Sequence, residues 1–459
     1  MTSLTGLLQI ARSSLVTHQA ALSVVSNNTA NAGTVGYARR EVEFEALGGG
    51  GGVGIAAVMR RSADLVERRV LLANSRLGAH QAMAEGLGAL EGKFGDGEYG
   101  LGGQLDAFFA SLRALATDPA DTQLRNDVLA RGRTLAQAFG ETAATIDRER
   151  RGTDGAIAVE LERVNQLAAS LADNNRALVA TAPDTTERAE QLDRRQQLLG
   201  ELSSLVEVST IAGDDGSLTV LLQGGVPLVS GEHASRLRGT SDTGNDGLLR
   251  LDLVDPSGAA LDVTGQLAGG SLGGRLALRD VELVATGDAL DQLAYDLATA
   301  INGVHVAGFG TDGVSGREFY AQPAQVADAA SGLALAAGLE DHPEWIAAAD
   351  TAVSASGGND NLLSLIDLAG SNIAAGGTLT AGQQIASLIG DVGRRARAQN
   401  DAADEASAML EQNTALLQSS TGVSVDEELV DLSRFERAYQ AGARIVQTVE
   451  RLYDTILQL

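Results

Sequence analysis

The last thirty-five residues, Val425 to Leu459, constrain the fold more than any other stretch. They contain no proline and one glycine. Set out in heptads, Leu432, Tyr439, Val446 and Tyr453 fall at a, and Phe435, Gly442, Val449 and Ile456 at d. Seven of these eight seam positions are apolar. Ser424 with Glu427 predicts a capping box, in which the hydroxyl accepts an orphan amide and the carboxylate reaches back to the cap. Asp426, Glu427 and Glu428 occupy the first turn, where the helix dipole favours negative charge. Such a helix is about 50 Å long. It cannot fold back on itself, so its seam needs another helix.

The opposite end of the chain offers one. Leu4, Leu8, Ala11, Leu15, Leu22 and Val25 recur at steps of four and three, with His18 at the site between Leu15 and Leu22. A lone histidine there reads as a tolerated interface residue, because metal sites need clustered ligands. The helix is expected to stop near Asn27 and Asn28, since Asn31, Gly33 and Gly36 supply turn conformations in quick succession. The two ends are therefore expected to pair as one coiled coil, antiparallel or side by side.

Between them the chain reads as mainly α with a small inserted β-domain. Arg40 to Leu47 alternates as a short strand, and the glycine run Gly48 to Gly52 reads as a flexible loop. Helical periodicity covers 62–94, 120–180 and 184–206, with Asp118-Pro119 and Pro183 as reversals. Gly152 and Gly155 weaken the middle helix by about 1 kcal/mol each. From Val206 the pattern changes to short β-type runs, Leu218 to Leu222, Val226 to Val229 and Leu248 to Val254, separated by glycine and aspartate. Helix is expected again over 276–304, from 361, and over 380–417. This predicts a terminal coiled-coil domain (1–35 plus 425–459), a rod-like body of long helices (36–205 plus 276–424) and a β-domain (206–275) that buries its own core.

Composition excludes several classes. The chain of 459 residues is 44% hydrophobic but only 3% aromatic, so its cores are expected to rest on Ala, Leu and Val. A formal charge of −26 argues against nucleic acid and anionic membranes, both of which select basic patches. No run approaches the length of a membrane span, and the N-terminus lacks the basic and apolar regions of a cleaved signal. The absence of cysteine removes disulfides, thiol catalysis and thiolate metal sites together.

No residue set carries chemistry. Gly308, Gly310 and Gly313 fit G-x-G-x-x-G but follow a helix rather than a strand. Gly269, Ser271 and Gly273 fit G-x-S-x-G, with Asp280 and His305 downstream, yet no parallel sheet surrounds them, and a turn into the following helix is the simpler reading. The five histidines lie far apart. Asp242 to Gly247 resembles a calcium loop with two ligand positions missing. No cofactor, metal or catalytic site is expected.

The run SNNTANAGTVGYARR, Ser26 to Arg40, resembles the signature of the flagellar axial proteins, the rod, hook and hook-associated components. Asn27, Asn28, Ala30, Asn31, Thr34, Gly36 and Tyr37 match its usual form, while Thr29 and Gly33 depart from it. The C-terminal run from Gly422 to Leu457 is similar to the matching end of the same group. The segments GGSLGGRLALRD (Gly269 to Asp280) and LDQLAYDLATAINGVHVAGF (Leu290 to Phe309) narrow the likeness to the hook-associated branch at the hook–filament junction. The resemblance implies an extracellular structural protein exported by the flagellar type III apparatus. Its implied partners are further copies of itself, hook protein, the next hook-associated junction protein and an export chaperone on the C-terminal helix.

It also implies an assembly interface on the terminal helices. The candidate residues are Leu4, Leu8, Leu15, Leu22, Val25, Asn27, Asn28, Asn31, Gly36 and Tyr37 at one end. At the other they are Leu432, Phe435, Tyr439, Val446, Val449, Tyr453 and Ile456. A hook or rod protein is the nearest alternative. A soluble coiled-coil signalling module is another, and would carry heptads through its middle instead of at its ends.

Overall fold

The computed structural model describes residues 4–34, 36–94 and 99–457. Eleven helices are present among them. They are α1 (Leu4–Ala30), α2 (Asp64–Lys93), α3 (Leu101–Leu115), α4 (Thr122–Ala180), α5 (Thr186–Leu205), α6 (Gly270–Ala277), α7 (Leu283–His305), α8 (Ala329–Gly332), α9 (Asp360–Asp367), α10 (Ala381–Thr421) and α11 (Val425–Leu457). The last two residues of the expected terminal helix, Gln458 and Leu459, lie outside the described residues. Helix α1 runs to Ala30, past the expected stop, because Asn31 forms its end: its amide and its side chain both donate to the Asn27 carbonyl.

Local signals explain several helix starts. Asp121 accepts from the amides of Gln123 and Leu124 at the head of α4, and Thr185 accepts from Arg188 at the head of α5. At α10, Thr380 and Gln383 form a reciprocal capping box, with amide-to-side-chain bonds of 3.2 and 3.0 Å. The box expected at α11 is only half made. Ser424 Oγ accepts from Glu427 N at 3.5 Å, but the Glu427 carboxylate turns to Arg39.

By packing, the chain forms two units. One comprises 1–79, 159–273 and 403–459; the other comprises 80–158 and 274–402. This differs from the three-part division expected from sequence, because the chain passes between units inside α2, α4, α6 and α10 instead of in linkers.

In the first unit, β1 (Arg40–Leu47) and β2 (Gly52–Arg60) pair antiparallel in a hairpin. The glycine run between them is a tight turn and not a flexible loop. Gly52 has φ +93°, and a side chain there would meet Ser13 Oγ at 2.1 Å, so its lack of one lets the hairpin lie on α1. Seven further strands follow. β3 (Val208–Ala212), β4 (Leu218–Leu222), β5 (Pro227–Ser230) and β6 (His233–Ala234) form one antiparallel meander. β7 (Arg236–Ser241), β8 (Leu249–Val254) and β9 (Ala260–Asp262) form another. These sheets do not stand alone. Asn165 on α4 pairs with both backbone groups of Leu237 at 2.8 Å, and Asn175 does the same at Leu218 while reaching Gly231 O. Two side-chain amides, Asn175 buried and Asn165 partly so, thus fasten strand backbone to helix, which an independent β-domain would not need.

The second unit has an extended core of its own. Leu135, Leu290, Leu297 and Ile301 surround Phe108, Phe109, Phe139, Phe319 and Tyr320, all buried. The few aromatics are concentrated here, with Phe319 and Tyr320 edge to face at 5.0 Å, against the expectation of an aliphatic interior. Asn302 accepts from the amides of Phe319 and Tyr320 and donates to the Tyr320 carbonyl, pinning the segment after α7 onto that helix. Helix begins at Gly270, earlier than the turn expected there, and passes through a π-turn at Leu278–Glu282. In that turn the buried Arg279 is held by Asp280 and Asp154.

Candidate assembly site at the terminal helices

Helices α1 and α11 pair along their length, and the pairing is antiparallel. Thr5 meets Tyr453 through their hydroxyls at 3.5 Å, Leu15 and Ser14 sit against Gly442, His18 stacks on Phe435 at 6.1 Å, and Asn28 bonds Glu428. The heptad seam is therefore occupied within one chain, with Tyr439, Tyr453 and Ile456 left partly open. Val25, Ala21 and Phe435 are buried together, with Leu22, Leu432, Val42 and Phe44 packed around them. Phe44 of the hairpin stands edge-on to Phe435 at 5.6 Å. Val449 is 2% exposed. Gly442 is the one non-apolar seam position, and it lies where the helices are close: a Cβ there would touch Leu15 and Ser14 at 3.4 Å. His18 is an interface residue, as expected. Burial first, then the Arg434 guanidinium, hold its pKa below the ordinary value, so it packs as a neutral ring.

At the end of the pair the motif residues form a buried polar lock. Asn28, 1% exposed, donates to the Arg40 carbonyl at 2.8 Å and to Glu428 Oε2 at 3.0 Å. Its Oδ1 accepts from Tyr37 Oη at 2.9 Å and from the Arg40 amide at 3.1 Å. All four bonding positions of the amide are used. Arg39 donates from Nε to Glu428 Oε1 at 2.7 Å and also reaches Glu427 and Asp431. Burial opposes the Arg39 charge, but Glu428, Glu427 and Glu41 more than offset it and raise its pKa. The Arg39 backbone continues the link, its amide donating to Thr421 O and its carbonyl accepting from Arg61 N. Arg40 lies over the Tyr37 ring and donates to Asp193 on α5, which Arg60 also binds at 2.7 Å. Burial raises the Tyr37 hydroxyl pKa.

The candidate residues thus divide. Leu15, Leu22, Val25, Asn28, Tyr37, Leu432, Phe435, Val446, Val449 and Tyr453 lie in or beside the internal seam and lock. Asn27 and Asn31 finish α1, and Gly36, at φ +83°, turns the chain toward Tyr37. Leu4 is half-buried, while Leu8, Tyr439 and Ile456 are partly open to solvent. Arg39, Arg40, Arg60, Asp193 and Glu428 carry the lock and were not singled out by spacing. Their signal was the pair of adjacent arginines after Tyr37, in a chain with few cations.

A second apolar row runs along α11 beside the seam, Val430, Ala441, Ile445 and Leu452, and meets the seam at its open last position, Ile456. Val430 is 68% and Ile456 54% exposed. Nothing in the described chain covers this row.

Residues of the chemical motifs are taken up in packing and hydrogen bonds. Gly308 and Gly310 pack closely, with positions for a Cβ within 2.4 Å of Asn361 and Glu344. Asp280 is taken by Arg279, and His305 uses both ring nitrogens, on the Arg317 carbonyl and the Ala347 amide. Among the described residues no group of acidic or histidine side chains could hold a metal ion, and no helix is long and apolar enough to cross a membrane.

Comparison with known proteins agrees with this geometry. Residues 87–320 match the family described as flagellar hook-associated protein FlgK helical domain. Residues 8–37 match the flagella basal body rod protein family, and 416–459 the flagellar basal body rod FlgEFG protein C-terminal family. Flagellar hook-associated protein 1 of Escherichia coli K12 is 24% identical over 99% of this chain and all of its own length. The protein of the same name from Bacillus subtilis is 25% identical, covering 98% of this chain and 97% of its own. The flagellar hook junction protein FlgK of Burkholderia pseudomallei shares the fold, with a TM-score of 0.67 at 15% identity, over 77% of this chain and all of that one. With the helical-domain match spanning half of its length and rod-type matches at both ends, this chain belongs to the FlgK family of flagellar hook-associated proteins, structural components of the hook–filament junction.

Proposed function

We propose that the α1–α11 pair is the element by which copies of this chain pack against one another in the flagellar axis. The observation that carries this reading is the exposed row Val430, Ala441, Ile445 and Leu452, with Ile456 at its end, which stays open although α1 already occupies the seam beside it. A lone exposed apolar residue means little, but a row at helical spacing selects another helix. Its occupants in the assembled flagellum are neighbouring copies, with hook protein on one side of the ring of subunits and the next junction protein on the other. Before assembly the same row is an aggregation hazard. An export chaperone that covers α11 until the chain leaves through the flagellar type III apparatus removes that hazard.

The test is Ile445→Asp in cells that lack the parental copy. A carboxylate in a desolvated contact costs several kcal/mol when unpaired, while on the open surface of a monomer it costs little. The variant should secrete and melt like the parent, build hooks, and release filament protein into the medium. Normal filaments on Ile445→Asp cells would remove this row from the assembly surface.

A further inference from the structure

Helix α1 carries two ionisable side chains, Arg12, which is exposed, and His18, which faces α11. The His18 ring lies between Phe435 of α11, 6.1 Å away, and Phe44 of β1, 5.7 Å away. Its Nδ1 is buried without a hydrogen-bond partner among the described residues. A neutral imidazole tolerates this, since Nδ1 can remain a bare lone pair while Nε2 holds the proton. A charged one does not, because its second N–H would point into an apolar gap with no acceptor. The groups on the neighbouring elements do not relieve that charge. From α11 comes Arg434, which lies over the Phe435 ring at 5.0 Å and pairs with Asp431 at 3.5 Å. Tyr439, one turn further along α11, makes no hydrogen bond to the ring among the described residues. On β1, Glu41, Glu43 and Glu45 alternate with Phe44 and stand exposed on the other face of the strand. β2 has no ionisable side chain before Arg60, which Asp193 and Glu67 hold.

We propose that His18 is a pH-sensitive catch on the terminal pair, holding α1 against α11 while neutral and loosening the pair when it takes a proton. Aromatic faces attract cations, but Arg434 already occupies Phe435, so a charged His18 meets like charge there. Burial and Arg434 depress the folded-state pKa, so the separated helices bind the proton first. The pair is therefore at full strength above about pH 6.5 and weakens as pH falls below it. The lock around Asn28 contains no histidine and stays made. Loosening runs from His18 outward to Thr5 and Tyr453 and opens the seam at Leu15, Phe435 and Val449. This concerns pairing within one chain, so it stands apart from the assembly role of α11.

The experiment is hydrogen exchange of the full-length monomer between about pH 7.5 and about pH 5.5, with each amide's rate divided by its intrinsic rate at that pH. One proton taken up on opening, by a group with an unfolded pKa of about 6.5, allows up to about a tenfold loss of protection by pH 5.5. Amides of 8–22 and 435–449 should lose roughly threefold to tenfold in the parent and less than about twofold in His18→Gln. Arg434→Gln, at an exposed position, should lose less than the parent. A parental loss below about threefold, or a loss in His18→Gln as large as the parent's, overturns the catch. Imidazole resonances give a second reading that does not depend on His18→Gln folding. The one of the five histidines that Arg434→Gln displaces should titrate below about 6.5 in the parent and closer to it in the variant. A midpoint at or above that value, or no displaced resonance, also overturns the proposal.

Discussion

Replacing Asn28 by Asp changes one atom pair and tests the polar lock directly. The substitution keeps the two bonds that Asn28 accepts, from Tyr37 and the Arg40 amide, and removes the two it donates. Loss of the donor leaves the Arg40 carbonyl unpaired in a buried site, worth about 1–3 kcal/mol. The new carboxylate also stands about 3 Å from the Glu428 carboxylate, where repulsion at an effective dielectric of ~20 is about 5.5 kcal/mol. One of the two acids escapes this by taking a proton. At pH 7 that limits the charge cost to about 4 kcal/mol, the work of protonating a group whose unfolded pKa is ~3.9. The total at pH 7 is therefore on the order of 5 kcal/mol. Because the folded-state pKa is raised, the cost is full at high pH and shrinks as pH falls towards the unfolded value. At pH 5 the charge part drops to about 1.5 kcal/mol. Hydrogen exchange of the amides of 21–30 and 428–438 reads the local opening energy. The reasoning predicts much faster exchange in Asn28→Asp at pH 7 and a smaller deficit against the parent at pH 5. Parental protection at pH 7, or an equal deficit at both pH values, would refute it.

Other expectations concern the rest of the chain. His305 is fully buried, and burial pushes its pKa down to about 4. The unfolded chain therefore binds a proton first, and stability from this group, whole above pH 6.5, falls by about 3 kcal/mol as pH drops towards 4. A His305 imidazole resonance, assigned by its loss in His305→Gln, that titrates near 6.5 in the folded protein would contradict this. Gly78→Ala should destabilise by about 1–3 kcal/mol, because its methyl would lie 2.3 Å from the Ser204 carbonyl, whereas Gly88→Ala, in open space on the same helix, should gain up to about 1 kcal/mol in urea melts. Arg279→Met should cost on the order of 3 kcal/mol by leaving Asp154 and Asp280 without their buried cation, and a neutral result would show that water satisfies both. Val449→Asp, in the filled seam, should unpair α11 in the monomer, whereas Ile445→Asp should not; circular dichroism and limited proteolysis distinguish them.

The long helices and the terminal pair were legible because periodicity and caps are local. The antiparallel order of that pair was not, since heptads alone do not give direction. It follows from Asn28 reaching Glu428 and Thr5 reaching Tyr453. The glycine run was misread because flexibility and close approach need the same residue, and only the presence of Ser13 opposite Gly52 decides between them. The β-segment looked autonomous because its strands carry turn signals. Its dependence on α4 rests on Asn165 and Asn175, two polar residues within a helical pattern whose partners are backbone atoms more than forty residues away. Of the lock, Asn28, Tyr37 and Arg39 belong to the run Ser26 to Arg40, but Asp193 and Glu428 come from two distant stretches. Glu428 in particular reads locally as a first-turn acid favoured by the helix dipole.

The central claim is that one chain closes its own terminal seam and keeps a second face for its neighbours. A chain without cysteine allows that claim to be measured with a single introduced pair. Ser14→Cys with Gly442→Cys places the two side chains where Ser14 Oγ and a Cβ at 442 are now 3.4 Å apart, within reach of a disulfide. Oxidation of dilute monomer should give an intramolecular crosslink, seen as a faster-migrating monomer on a non-reducing gel. Crosslinked dimers in place of that species, or no crosslink at all, would show that the seam belongs between chains.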